Sequence, residues 1–158
     1  MPEISIWDTF LNPVVLVPIT AWLIAQVLKV IINSLMNKKF TPGRLFGDGG
    51  MPSGHSATVT AVAAMCGIEA GFGSPLFALA VMFAIVVMHD ATGVRRETGK
   101  QATAILGIVQ VINEYITEKD VNIKADKLKV LVGHNHLQVF CGSILGILVS
   151  LGYYWIFK

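Results

Sequence analysis

Charge is scarce in this sequence. Only 14% of its 158 residues are Asp, Glu, Lys or Arg, against about 25% in an ordinary soluble domain. The net charge of +2 is too small to grip a polyanion, which excludes a nucleic-acid-binding role. Cysteine is scarcer still. Cys66 and Cys141 both lie inside apolar stretches, so a secreted disulfide framework is excluded and both read as reduced and buried in helices. There is no internal repeat and no low-complexity tract, which excludes solenoids and collagen-like chains. What is abundant is apolar: 54% hydrophobic residues and a mean hydropathy of +0.65. The length fits a single domain covering residues 1–158.

Four apolar runs are candidates to cross a bilayer, which takes about 20 residues. They are Phe10 to Met36, interrupted by Gln26, Lys29 and Asn33; Ser53 to Gly71; Ser74 to Met88; and Val139 to Phe157. The second is rich in small residues, among them Ala57, Ala61, Ala63, Ala64, Gly67 and Ala70. Gly71-Phe-Gly-Ser-Pro75 reads as a tight turn, and Thr41 to Gly50 as a polar loop. Gln101 to Tyr115 reads as a helix with polar residues at Gln110, Asn113 and Glu114, and Thr117 to Lys129 as a solvated loop or short helix. The opening Met1 to Asp8 is acidic, unlike the basic start of a secretory leader.

The strongest local signal is Gly49-Gly-Met-Pro-Ser-Gly-His-Ser56, a glycine-rich loop turning into a helix at Pro52-Ser53. Proline suits the first helical turn. The amides of Ser53, Gly54 and His55 are expected to point at one spot, where the helix dipole favours an anion. His55 beside that spot could move a proton near neutral pH. The alternative is a plain helix start with an incidental histidine. The second signal is Asp90-Ala-Thr-Gly-Val-Arg-Arg-Glu-Thr-Gly-Lys100. Arg95 and Arg96 could clamp phosphate oxygens or serve only as a positive-inside anchor. The third is Gly133-His-Asn-His-Leu-Gln138, opening the last apolar run, with Gly142 and Gly146 forming a GxxxG face for close packing.

Pro52-Ser-Gly-His55 resembles the central motif of the type 2 phosphatidic acid phosphatase and vanadium haloperoxidase superfamily. His134-x-x-x-Gln138-Val139-x-x-Gly142-x-x-x-Gly146 is similar to that superfamily's His-x-x-x-Asp-Val-x-x-Gly-x-x-x-Gly. The motif order and Asp90-Ala-x-Gly-Val-Arg-Arg96 look most like its divergent bacterial and plant branch. The resemblance covers roughly Ala21 to Gly146. It implies a metal-independent lipid-phosphate phosphatase with no cofactor. His134 would attack phosphorus and form a phosphohistidine, and His55 would protonate the leaving alkoxide. Lys29, Arg44 and either Arg95 or Arg96 would hold the equatorial oxygens, with Ser53 and Gly54 donating as well. Preorganised donors of this kind stabilise charge developing on phosphoryl oxygens.

The sequence departs from the pattern in three places. Lys29 and Arg44 lie much further apart than the superfamily's six-residue spacing, and Leu45 follows where the pattern has proline. Some forty residues separate Arg95 from His134, where the pattern has a few. Gln138 stands where the pattern has the carboxylate that orients the nucleophile. Either Asp90 supplies that carboxylate, or the enzyme is slow or inactive.

The expected fold is all-α: an integral-membrane helical bundle of about four transmembrane helices plus one interfacial amphipathic helix. The catalytic parts must meet on one membrane face, so Gln101–Tyr115 cannot be a single crossing and is expected to lie along the interface. That face also carries Lys38, Lys39, Arg44, Arg95, Arg96, Lys100 and Lys119. The positive-inside rule therefore puts the site on the cytoplasmic side, and both termini outside, in a bacterial plasma membrane. Expected partners are a lipid-phosphate substrate and membrane lipids, with a homo-oligomer left open. Phosphatidylglycerol phosphate, phosphatidic acid and polyprenyl phosphates all fit as substrates. Two alternatives compete: a catalytically degenerate scaffold or lipid-binding protein on the same fold, and a metal site built from His55, His89, His134, His136 and Asp90.

Overall fold

The computed structural model of the protein describes residues 10–38, 50–115 and 133–158. Their order is α1 (Pro13–Asn37), α2 (Gly54–Ala70), α3 (Pro75–Thr92), α4 (Val94–Tyr115) and α5 (His136–Phe157). Every element among the described residues is a helix, as the hydropathy pattern predicts.

Local chemistry sets the helix starts. Asn12 caps α1, its side chain accepting from the Val14 amide at 2.9 Å, with Pro13 in the first turn. Ser74 caps α3 in the same way, accepting from Phe77 at 3.2 Å with Pro75 behind it. In both, a side-chain oxygen satisfies an orphan amide and proline occupies a position whose N–H has no partner. α2 differs from the expectation: Ser53 is its cap and Pro52 lies one residue outside the helix. Gly71 ends α2 with φ +90°, and its amide returns to the Gly67 carbonyl at 3.0 Å. α3 runs four residues past Met88, and α4 begins at Val94 rather than Gln101. The arginine pair therefore sits on a helix and not in a connecting loop.

α2 is the hub, packed against α1, α3 and α5. This is why it is built from small residues. Ala57, Ala61, Ala63 and Gly67 are buried, and Ala57 and Ala61 join Ala21 and Ala25 of α1 in one core cluster. From the other side, Gly142, Gly146 and Ser150 are the buried residues of α5. A Cβ on Gly142 would meet the Ser53 carbonyl, and one on Gly146 would meet Thr60 and the Ala57 carbonyl. Hydrogen bonds cross this seam from Thr60 Oγ1 to the Ser143 carbonyl at 3.2 Å and from Ser150 Oγ to the Ala61 carbonyl at 3.4 Å. Close backbone approach through small residues, with hydroxyls bonding across, is how helices associate where lipid removes the hydrophobic driving force.

The outward faces are apolar. Leu16, Leu23, Val27 and Ile31 on α1, Leu79, Met82 and Phe83 on α3, and Phe140, Ile144 and Leu148 on α5 are all exposed. Small residues inside and large apolar ones outside describe a membrane protein. Three helical stretches are long and apolar enough to cross: Pro13–Asn37, Pro75–Asn113 and His136–Phe157. α2, at 17 residues, is not among them. α4 packs only against α3 among the described elements and leaves Ile105, Ile108 and Val111 exposed. The polar loop from Thr41 to Gly49 and the segment Thr117–Lys129 lie outside the described residues.

Candidate functional site

The start of α2 and the start of α5 are stitched together. Ser53 is fully buried, and its Oγ accepts from the Ser56 amide at 3.3 Å and from the Ser56 hydroxyl at 3.1 Å. Its own amide donates to the Gln138 carbonyl at 2.9 Å. This corrects the expectation that the Ser53 amide points at a phosphate, because Gln138 already occupies that donor. Gly54 follows as the first residue of α2, and the Trp22 indole rests on it. A Cβ there would lie 3.2 Å from Trp22 Cδ1.

His134 lies just before α5 and is 4% exposed. Its amide donates to the Ala91 carbonyl at 3.0 Å. Gly133, one residue earlier, packs so tightly on the Arg95–Arg96 backbone that no side chain would fit. These two contacts bring the α3–α4 junction beside His134, although most of α4 and the segment after it intervene in sequence. The rings of His134 and His55 meet edge to face, with centroids 5.8 Å apart. His134 Nδ1 lies 3.1 Å from Gln138 Oε1. The same oxygen accepts from the Asn135 amide at 3.2 Å, and Asn135 Oδ1 accepts from Leu137 at 2.6 Å. Asn135-His-Leu-Gln138 is a capping box, a pattern visible in the sequence.

Next to His55 is a cavity of about 640 Å³. Its polar end is His55, Asp90 and Arg95, and its walls include Trp22, Phe83 and Val87. Arg95 Nε donates to Asp90 Oδ2 at 3.0 Å. With both side chains nearly half exposed, the pair adds little stability. It engages the Nε donor and leaves the other guanidinium donors available to the cavity that Arg95 lines. Of the two arginines, Arg95 lines the cavity, while Arg96 contributes backbone beneath Gly133. Asp90 thus meets an arginine, and Gln138 meets the His134 ring.

Lys29 is 4% exposed but lines a different cavity, of about 430 Å³, with Asn33, Gly50, Asn135 and Gln138. Its stem lies against Gly50, where φ is +94° and a Cβ would come 3.0 Å from Lys29 Cγ. Arg44 lies outside the described residues. Among the described residues, no three His, Cys, Asp or Glu side chains are grouped to hold a metal ion. His89 and His136 are exposed and do not join His55 and His134 in such a group. Trp22 and Phe83 are cavity residues that the sequence reading missed. Nothing local marks them, since an aromatic in an apolar run has the same signature whether it faces lipid or a cleft.

Comparison with known proteins agrees with the motif resemblance. The pattern described as "Divergent PAP2 family" matches residues 10–149. The chain is 42% identical over 139 residues to a Bacillus subtilis (strain 168) protein called "Uncharacterized membrane protein YuiD", covering 84% of this chain and 88% of that one. No solved structure matches.

Proposed function

From the premise that the chain belongs to the divergent PAP2 family, we propose that it is an integral-membrane lipid-phosphate phosphatase working through a phosphohistidine. The observation that carries the reading is the ring contact between buried His134 and His55, which itself lines the polar end of an otherwise apolar cleft. An in-line displacement needs a nucleophile that can approach one phosphorus to about 3–3.5 Å and an acid that can reach the ester oxygen leaving on the opposite side. His134 Nε2 attacks phosphorus as the P–O ester bond breaks. His55 donates its proton to the departing alkoxide and releases a lipid alcohol. His55, now neutral, takes a proton from water, which cleaves the P–N bond and frees inorganic phosphate. Arg95 and the Gly54 amide face the non-bridging oxygens, and Asp90 holds Arg95 in place. The apolar walls suit a substrate whose tail lies in lipid, such as phosphatidylglycerol phosphate, phosphatidic acid or a polyprenyl phosphate.

In this reading α1, α2, α3 and α5 cross the bilayer. His55 opens α2, Asp90 ends α3 and His134 precedes α5, so these three helices must share one face at those ends. α2 spans about 25 Å at 1.5 Å per residue, short of the full hydrocarbon core but shielded by its neighbours. α4 then runs along the interface, with its basic first turn at the head groups. By the positive-inside rule that face is cytoplasmic, which favours phosphatidylglycerol phosphate as an intermediate made there. With single cysteines at Glu97→Cys and Glu118→Cys, a membrane-impermeant reagent should label both positions from the same side. Labelling from opposite sides would mean that α4 crosses, and the shared-face topology would fail.

The direct test is phosphate release by purified protein from a panel of lipid phosphates with EDTA present. Turnover should persist in chelator, since Asp90 is the one carboxylate among the described residues lining the cavity and it is paired with Arg95. Vanadate should inhibit as a trigonal-bipyramidal mimic of the transition state. Activity lost in EDTA and restored by magnesium would overturn the mechanism. A second reading, a scaffold that binds lipid head groups without turnover, is favoured by the neutral Gln138 at the orienting position. It predicts lipid-phosphate binding with no release from any member of the panel.

A further inference from the structure

We infer that the main-chain amide of Asn135 sets the ring tautomer of His134, acting through Gln138. The catalytic consequence rests on the phosphatase reading above, but the tautomer itself does not. A backbone N–H can only donate. The Gln138 side-chain atom 3.2 Å from the Asn135 nitrogen must therefore be the carbonyl oxygen and not the amino group. That oxygen lies 3.1 Å from His134 Nδ1. A carbonyl oxygen can only accept, so Nδ1 carries the hydrogen. A neutral imidazole has one N–H, which leaves the lone pair on Nε2, the nitrogen that attacks phosphorus in the proposed reaction.

A carboxylate at position 138 would need no such help, because both its oxygens accept. A carboxamide has two faces. Turned over, it would present its amino group to Nδ1, shift the hydrogen to Nε2 and remove the attacking lone pair. The Asn135 amide blocks that turn. It is itself fixed by its neighbours: the Asn135 side chain caps the Leu137 amide at 2.6 Å, and the His134 amide is tied to Ala91 at 3.0 Å. Asn135 and Gln138 are positioning residues in this scheme. The capping box, ordinarily a helix-stabilising device, here also orients an amide whose neutrality would otherwise leave the ring free to choose.

The test is ¹⁵N NMR of histidine-labelled full-length protein in lipid nanodiscs. His134 should show a protonated Nδ1 and an unprotonated Nε2. The reverse assignment in the wild type overturns the inference whatever the variants do. Asn135→Pro removes the N–H at a position whose φ of −85° lies close to the proline value. It should give a mixture of tautomers and lower kcat in proportion to the Nδ1–H form lost, about two- to tenfold, with KM little changed. Asn135→Ser keeps both N–H and cap and should keep the wild-type signature. Gln138→Glu in the Asn135→Pro background restores an acceptor-only partner and should return both the Nδ1–H signal and most of the rate. If the double variant folds and its tautomers stay mixed, the lock is not at Asn135. Should Asn135→Pro not fold, Gln138→Leu removes the acceptor and must itself mix the tautomers. An unchanged signal there sinks the proposal. A correct tautomer with no phosphate release from any lipid would overturn the phosphatase reading and leave this inference standing.

Discussion

His134→Asn should abolish phosphate release from every substrate, while His55→Asn should slow it on lipid phosphates and spare aryl phosphates. The two imidazoles touch, but the proposed chemistry gives them unlike tasks. Without the nucleophile there is no phosphoenzyme, and the loss should be at least about 10⁴, the scale on which covalent catalysis fails when a nucleophile is removed. Without the general acid the nucleophile survives, and the cost depends on the leaving group. A lipid alkoxide is strongly basic and needs the proton, so the rate should fall by about 10²–10⁴. An aryl phosphate leaves as a stable phenolate and needs little help, so His55→Asn should retain most of its rate on that substrate. His134→Gly supplied with free imidazole should regain part of the lost activity, because the removed ring leaves a gap of its own shape. Phosphate release on paired alkyl and aryl substrates reads all of this. Equal loss on both substrates from His55→Asn would show that His55 is not the acid.

How far the sequence anticipates this arrangement depends on the range of the interactions involved. Apolar runs, Pro13 and Pro75 after their caps, and the Gly71 turn are local features, and they predict α1, α2, α3 and α5 to within a few residues. Motif resemblance singles out His55 and His134 because each is the fixed point of a short pattern. The links between the patterns are not local. Gly133 seats on the Arg95–Arg96 backbone because that glycine alone permits the contact, and nothing around position 95 announces it. The choice between Arg95 and Arg96 is a rotation of about 100° on a helix, so it depends on where α4 begins. From the apolar pattern alone that helix starts at Gln101, and in the structure it starts at Val94.

The same distinction explains the Ser53 amide and Gln138. Read alone, the α2 start looks like a ready anion site, since its first amides have no helical partners. The α5 carbonyl at Gln138 claims one of them across the α2–α5 seam. Read alone, Gln138 looks like a lost carboxylate. Together with Asn135 it forms an oriented acceptor 3.1 Å from Nδ1. The first correction comes from helix packing, which a linear pattern does not encode, whereas the second is a local capping box whose Asn-x-x-Gln spacing the sequence carries.

Gly146→Leu should cost this protein both its stability and its activity, while Gly152→Leu, six residues further along the same helix, should cost neither. At Gly146 a Cβ would press on Thr60 Oγ1 and the Ala57 carbonyl, with the Ala61 nitrogen 3.0 Å away. Two of these three are backbone atoms of α2 and cannot step aside as a flexible side chain would. The helices must separate instead. Overpacking of this kind costs about 1–3 kcal/mol or more, and it also breaks the Thr60–Ser143 and Ser150–Ala61 bonds that cross the seam. The consequence for chemistry is larger than the consequence for stability. His55 is carried by the first turn of α2 and His134 by the approach to α5, and the Ser53–Gln138 bond at 2.9 Å joins them. Moving α5 outward by about 1 Å would misplace the nucleophile enough to cost about 10² in rate. At Gly152 a Cβ meets nothing within 4 Å, so leucine there projects into open space. Thermal unfolding in detergent and phosphate release, measured side by side on the two variants, separate the cases. If Gly146→Leu matches the wild type in both, α2 and α5 are not in the close contact on which the alignment of the two histidines depends.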